Sequence, residues 1–523
     1  MVPASKQTDP AWLDAMWTRL ITIANECWVA TYRASYSTIV SEALDIGCEI
    51  LDSRGGSLAH GTRSIPVFNM IMPGVTRAVL AKFGTTITPG DVFITNDPWI
   101  CAGHLPDIAI VTPVFSNDRL VAFAANVANV SDIGGNLNRP LNREVYEEGL
   151  QIPLLRLCDA GRRVEPVWEL ILANVRTAEE VEGDLEAMIA GNGLAAKGIN
   201  TLLDYAGLDS LDDVSDAICD RSEIAMRKSI ESLPDGTSES SWTADGFESP
   251  IELRMEIEVR GREIYIRFPD APGQVDQGAF NSTLNYTQAH VNYAIKCLLA
   301  PSIPTNEGCF RPVHVEAEAG TVFNCLHPAA VDMRTRIGWQ VHPLIFKAME
   351  KFLPAKVPAG CGQPSLLSLD GRWQDGRRFQ EHLMLGAGMG AWAGGAGESN
   401  STFPSTAASG SIEILEHRSP IVVLSRSLAA DSGGTGQHCG GQGEELTVQL
   451  RDGDGADLRV VTALERMTVA PFGISGGKAG RKAELVRADR HGTRSVRDRV
   501  LELARGESLT VRTAGGGGYG TED

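Results

Sequence analysis

No two of the ten cysteines stand as C-x-x-C; they are scattered from Cys27 to Cys439. That spacing argues against a zinc ribbon and a thioredoxin-type redox pair, and it makes most of the thiols small buried apolar groups. Apolar runs of the roughly 20 residues needed to cross a bilayer are also missing. The opening MVPASKQTDPAWLD lacks the basic-then-apolar pattern of a secretory signal, so a cytoplasmic location is expected. Basic excess is absent too. With 47 Lys and Arg against 66 Asp and Glu, the net charge is -19. An acidic surface repels phosphate backbones, which argues against a nucleic-acid partner, and otherwise serves solubility.

Phosphate-binding loops are likewise lacking. Gly473-Ile-Ser475-Gly-Gly477 matches G-x-S-x-G, but Lys478 and Gly480 follow where a nucleophile elbow needs a helix. As a P-loop the same stretch is too short, and Ala479 stands where Ser or Thr would hold magnesium. GAGMGA (386–391) runs into more glycine rather than a helix, against a dinucleotide fold.

What is present is a large globular composition: 523 residues, 43% hydrophobic and 22% charged, enough for two to four domains. Helical periodicity covers 10–35, both halves of 177–232, 283–300 and 339–353. Residues 45–52 read as a strand ended by the Ser53-Arg54-Gly55-Gly56 turn, 91–125 as a meander, and 250–268 as further strands. Beyond 380, glycine becomes dense and SIEILE, IVVLSRSL, ELTVQL, LRVVTAL and SLTVRT read as short β-type runs. The expected fold is α+β: an N-terminal α/β region over 1–176, a helix-rich central region with strands over 177–378, and a Gly-rich β domain over 379–523.

One segment concentrates chemistry. Asn96-Asp97-Pro98-Trp99-Ile-Cys-Ala-Gly103-His104-Leu-Pro-Asp107 packs two carboxylates, an imidazole and an amide into a turn between β-type runs. His104 and Asp107 lie three apart across a proline, a spacing that can aim both at zinc or manganese. The spacing fits equally a histidine that hydrogen-bonds a nearby acid. Asp132-Ile-Gly134-Gly135 and Glu147-Glu148-Gly149 place acids before glycines, in ordinary turns or where backbone approaches a ligand.

Taken together these boxes resemble the hydantoinase B/oxoprolinase family, the β-type subunits of ATP-dependent hydantoinases and lactamases, related also to ketone carboxylase subunits. NDPW (96–99), GHLPD (103–107), PVF (113–115), DIGG (132–135), EVYEEGLQIP (144–153), ANVR (173–176) and EGDLEA (182–187) carry the likeness in the first half. Asn306, Gly308, Arg311-Pro312, VPAG (357–360), EILEHRSPIVV (413–423), DSGGTGQHCGGQG (431–443), APFGISGGKAG (470–480) and GGGGYG (515–520) continue it in order. The resemblance implies a hydantoinase A-type ATP-binding α subunit as partner, ATP bound there, and a small cyclic amide as substrate, phosphorylated by α and hydrolysed at a metal-bearing β site. It also implies a divalent metal, zinc first and manganese second, held at Asp45, His104, Asp107 and Asn129. Asn129 departs from the pattern, which has histidine there; three ligands still suffice for a catalytic metal with water in the fourth position. Asp97 or Asp132 would orient the attacking water, and backbone amides of the glycine loops would stabilise an oxyanion or phosphate. A ketone carboxylase subunit and a non-catalytic partner of α are the alternatives.

Overall fold

The computed structural model describes residues 9–246 and 249–522, so the N-terminal stretch read for a signal lies partly outside the described residues. The first sheet comprises β1 (Ile46–Asp52), β2 (Ser57–His60), β3 (Val92–Thr95), β4 (Asp107–Ser116), β5 (Arg119–Asn129), β6 (Leu155–Asp159) and β7 (Arg162–Arg163). Their order is β2-β1-β5-β4-β3-β6-β7, antiparallel at every pairing. The expected meander is β3-β4-β5. Strand β5 reads as one apolar run because both faces are covered. Ala122, Ala124 and Ala128 join the core formed with helices Pro10–Ala34 and Ala178–Ala206, while Phe123, Ala125 and Val127 join that of helix Met72–Phe83. Helix Pro10–Ala34 begins where the sequence asks: Asp9 accepts a hydrogen bond from the Ala11 amide at 3.1 Å, and Pro10 occupies the first turn.

The central sheet runs β11-β10-β9-β8, from β8 (Gly236–Ala244), β9 (Ile251–Arg260), β10 (Glu263–Arg267) and β11 (Val313–Glu316). In β9, Leu253, Met255, Ile257 and Val259 point inward in strict alternation. They share a core with helices Leu284–Leu299 and Val341–Met349. The polar β8 (GTSESSWTA) gives no such alternation, and sequence patterning misses it.

Two further antiparallel sheets follow: β13-β12-β16-β19 and β14-β15-β20-β17-β18. Their strands are β12 (Ser365–Trp373), β13 (Arg378–Leu385), β14 (Ile421–Leu428), β15 (Glu444–Leu450), β16 (Gly455–Thr462), β17 (Glu484–Asp489), β18 (Gly492–Val496), β19 (Val500–Leu503) and β20 (Ser508–Arg512). One β-type expectation is corrected. SIEILE lies on a helix, Ile412–Arg418, because Ser411 caps it by accepting from the Ile414 amide at 3.4 Å.

The glycine segments are structural. Residues 515–518 form a central segment outside the named strands, whose successive amides donate to Arg481, Gly441, Gly360 and Lys478 at 3.2, 2.9, 2.8 and 2.8 Å. Their carbonyls accept in turn, Gly516 from Gly434 and Gly517 from Ala391. Backbone therefore packs on backbone from several sides. A Cβ at Gly516 would stand 1.8 Å from the Met389 carbonyl oxygen. These amides are already used, so they are not free to hold an oxyanion, and GISGGKAG and GAGMGA belong to this bundle. Gly516→Ala is expected to destabilise the fold by about 1–3 kcal/mol or more, seen as loss of soluble protein or a large drop in denaturant midpoint; a near-neutral midpoint would refute the packing.

Where the two central helices cross, His290 Nδ1 lies 3.0 Å from His342 Nε2, both rings fully buried. Burial pushes His342 down to about 3, from 6.5 in an open chain. Below that open-chain value the unfolded chain takes a proton the folded one refuses, so stability falls with pH by about 1.4 kcal/mol per unit for this group. Acidification from about pH 6.5 should lower the denaturant midpoint, and His342→Gln should flatten the slope; an unchanged slope would contradict it.

Candidate functional site

Sheet register assembles the site. Asp107 opens β4, Asn129 closes β5, and the two are paired directly. Asp45 immediately precedes β1, whose Ile46 pairs with Ala128, and the Asp45 carbonyl accepts from the Asn129 amide at 3.1 Å. Residues opposite one another in antiparallel strands share a face. Three positions from distant parts of the sequence therefore stand side by side at one sheet end. His104 joins them from the turn that leads into β4. That turn is clamped by Asn96, whose Nδ2 donates to the Leu105 and Leu150 carbonyls at 2.8 and 2.9 Å while its Oδ1 accepts from the Ile152 amide at 2.6 Å.

A cavity of about 80 Å³ opens there, lined by Asp45, His104, Asn129, Arg139, Tyr286, Asp332 and Arg334 together with apolar side chains such as Phe68, Leu366 and Val461. It sits where the first sheet, the 332–339 segment and strands β12 and β16 meet. His104 Nε2 stands 2.9 Å from Asp107 Oδ1, within ion-pair distance though out of line for a hydrogen bond. Its Nδ1 lies 3.2 Å from the Asp332 carbonyl and 3.6 Å from the Asp332 carboxylate. Arg334 bonds the other Asp107 oxygen and the Ala102 carbonyl, and its guanidinium lies 4.4 Å from the centre of the Tyr286 ring. Arg139 reaches Asp332 at 3.4 Å.

The charges shape one another. Burial, then the neighbouring Asp107, lifts Asp45 to about 7 against the pull of Arg334 and His104. Burial and Arg334 oppose protonation of His104, but Asp107 and Asp332 outweigh them and raise it above the ordinary histidine value. Burial would raise Asp332; Arg139, His104 and Arg334 overcome it and hold the group near 2.

The four positions expected to hold a metal do converge, but their arrangement does not fit a metal centre. Among the described residues, no group of three or more His, Cys, Asp or Glu is placed to bind an ion. One Asp107 oxygen is taken by Arg334 and the other faces His104, and the fourth position is an amide, a poorer zinc ligand than imidazole. Asp97 and Asp132 are not brought to the cavity. Asp97 Oδ1 accepts from the Trp99 amide at 3.0 Å and caps the turn. Asp132 is held by the Arg176 amide and by its guanidinium at 2.6 Å. Glu148 is buried behind the site, accepting from the Val331 and Asp332 amides at 2.8 Å each. Sequence reasoning misses Arg139, Tyr286, Asp332 and Arg334. The available signal was Asp332-Met-Arg334-Thr-Arg336, three charges between the apolar AAV and IGW.

Comparison with known proteins places this geometry. The chain belongs to the hydantoinase B/oxoprolinase family, whose model matches residues 9–522. An uncharacterized protein of Methanocaldococcus jannaschii is 30% identical, covering 95% of this chain and 88% of that protein. The caprolactamase subunit beta of Pseudomonas jessenii is 27% identical over 98% of this chain and 91% of its own length. In three dimensions, a chain of the crystal structure of the ATP-dependent caprolactamase from that organism superposes with a TM-score of 0.89 at 25% identity, covering 98% of this chain and 91% of that one. A chain of nucleotide-free acetone carboxylase gives 0.86 at 16% identity over 98% and 76%, a likeness of fold. No helix among the described residues is long and apolar enough to cross a membrane.

Asn96→Ala should unclamp the His104 turn, leaving buried carbonyls and an amide without partners, and cost about 1–3 kcal/mol in chemical denaturation. A loss below about 0.5 kcal/mol would show that the turn holds its shape unaided.

Proposed function

We propose that this chain is the β-type subunit of an ATP-dependent cyclic amide hydrolase, acting with an ATP-binding α-type subunit on a hydantoin or lactam that α has phosphorylated. One observation carries the reading: in a chain matched to this family from 9 to 522, Asp45, His104, Asn129, Arg139 and Arg334 line a single cavity. The subunit arrangement is supported by the caprolactamase subunit beta, and phosphorylation in a partner by the use of GISGGKAG in glycine packing.

The chemistry follows from the side chains present. An amide resists water because it is resonance-stabilised. Phosphorylation of its oxygen makes the ring carbon electrophilic. Water then adds to that carbon while a base takes its proton. Asp45, with a carboxyl near 7 and facing the cavity, is the suited base, since a general base works best near the operating pH. This gives Asp45 the part expected of Asp97 or Asp132, both engaged elsewhere. The ring nitrogen takes up that proton, the C–N bond then breaks as the proton of the added hydroxyl passes to the leaving nitrogen, and the resulting acyl phosphate yields carboxylate and phosphate to a second water. Arg139 and Arg334 put positive charge on the cavity wall, against phosphoryl oxygens or a developing oxyanion. His104, held between Asp107 and Asp332, fixes the turn and the ionisation of its neighbours.

The test is ATP-dependent ring opening by this chain purified with its α-type partner, on a panel of hydantoins and lactams. The reading expects ring-opened product (an N-carbamoyl amino acid from a hydantoin, an amino acid from a lactam) to accumulate with ADP, and Asp45→Asn to lower kcat by about 100-fold or more while Asp97→Asn stays within a few-fold. ATP hydrolysis that requires bicarbonate and a ketone would make the chain a carboxylase subunit instead. Full turnover by Asp45→Asn would remove Asp45 as the base.

A further inference from the structure

The cluster at the sheet end carries a fixed cation of its own. We propose that the Arg334 guanidinium is the resident cation of the Asp107 carboxylate, and that the chain functions with no metal ion at the position formed by Asp45, His104, Asp107 and Asn129. The inference concerns what neutralises that carboxylate and stands whichever substrate is used.

The first observation is the contact itself. Arg334 is nearly closed from solvent and donates to Asp107 and to the Ala102 carbonyl, so its head is fixed at two points within the box that carries His104. The second is that its seat is built. The Tyr286 ring lies under the guanidinium at 4.4 Å. Gly103 sits in the left-handed region at φ 84, and a Cβ there would stand 2.8 Å from Arg334 Cδ. The turn thus uses the residue without a side chain at the point where the arginine stem passes. Arg334 itself is held from behind, its amide donating to the Val331 carbonyl at 2.9 Å while its carbonyl accepts from the Gly338 amide at 2.8 Å.

The third observation is the donor set itself. Asn129 offers an amide in the position opposite Asp107, and the described residues hold no three-ligand set. A divalent ion beside Asp107 would lie within a few ångströms of the guanidinium in a site closed from water, where like charges are weakly screened. Arginine stays charged under all working conditions and offers planar donors to carboxylates. It therefore supplies permanently what an exchangeable ion would otherwise supply: a positive charge against the buried Asp107 carboxylate and on the cavity wall.

The experiment measures metal content and stability rather than turnover. The full chain is incubated with Zn²⁺ or Mn²⁺, desalted, and assayed by inductively coupled plasma mass spectrometry, with His104→Ala as the control for adventitious thiol sites. The proposal expects the same metal content in wild type and His104→Ala, and a melting temperature that neither chelator nor added metal shifts differently in the two. Asn129→His/Arg334→Met, which restores the imidazole and removes the cation, should bind Zn²⁺ at least about tenfold tighter than wild type by calorimetry. If that variant does not fold, Arg334→Lys serves: a retained cation should keep both the fold and the indifference to metal. About one equivalent of metal in wild type that His104→Ala removes would overturn the proposal. So would a metal-dependent rise in wild-type melting temperature that His104→Ala abolishes.

Discussion

The register of β1, β5 and β4 is the constraint on which the site depends. Because Asp107 opposes Asn129 and Ile46 opposes Ala128, the start of one strand, the end of the next and the residue before the third fall abreast on one face. A slip of one residue would turn each side chain to the opposite face. The register is protected by burial on both sides. Alanines at 122, 124 and 128 allow the two long helices to lie close, while Phe123 and Val127 fill the other core. The packing of β5 and the position of Asn129 are thus one fact seen from two ends of a strand.

The cavity inherits its charge pattern from that geometry. Two carboxylates brought together in a closed site repel one another, and the cost is offset by cations that arrive from elsewhere in the chain. His104 comes from the adjacent turn; Arg334 and Arg139 come from segments outside the sheet and reach Asp107 and Asp332. Of the two carboxylates that line the cavity, Asp332 is held near 2, while Asp45 is left less compensated and is lifted to about 7. Chemistry near neutrality and a permanent cation are two consequences of the same arrangement. The glycine bundle is remote in character from both. Its amides are spent on neighbouring carbonyls, which explains how a chain with G-x-S-x-G and GAGMGA stretches has no phosphate loop in either.

Local features were legible in the sequence. The long helices and the β3-β4-β5 meander follow from periodicity, and the glycine-dense C-terminal region does form sheets. Failures came where a local device or a distant partner decided the outcome. A serine cap turned SIEILE into helix. The D-P-W of the box used Asp97 to close its own turn, a role its sequence neighbours already offered. Arg334 lies 227 residues beyond Asp107, and no spacing rule joins them. The family likeness supplied Asp45 and Asn129 as neighbours of the box, which periodicity alone does not, but it supplied them as metal ligands. What Arg334 does to Asp107 is visible only once the chain is folded.

The most direct test of this account is an anomalous-difference map at the zinc and manganese edges, from crystals of the protein soaked in each metal. The account predicts no peak at His104 and Asp107, with the Arg334 guanidinium bonded to the Asp107 carboxylate in the electron density. A strong peak between His104, Asp107 and Asp45, with Arg334 displaced, would contradict it.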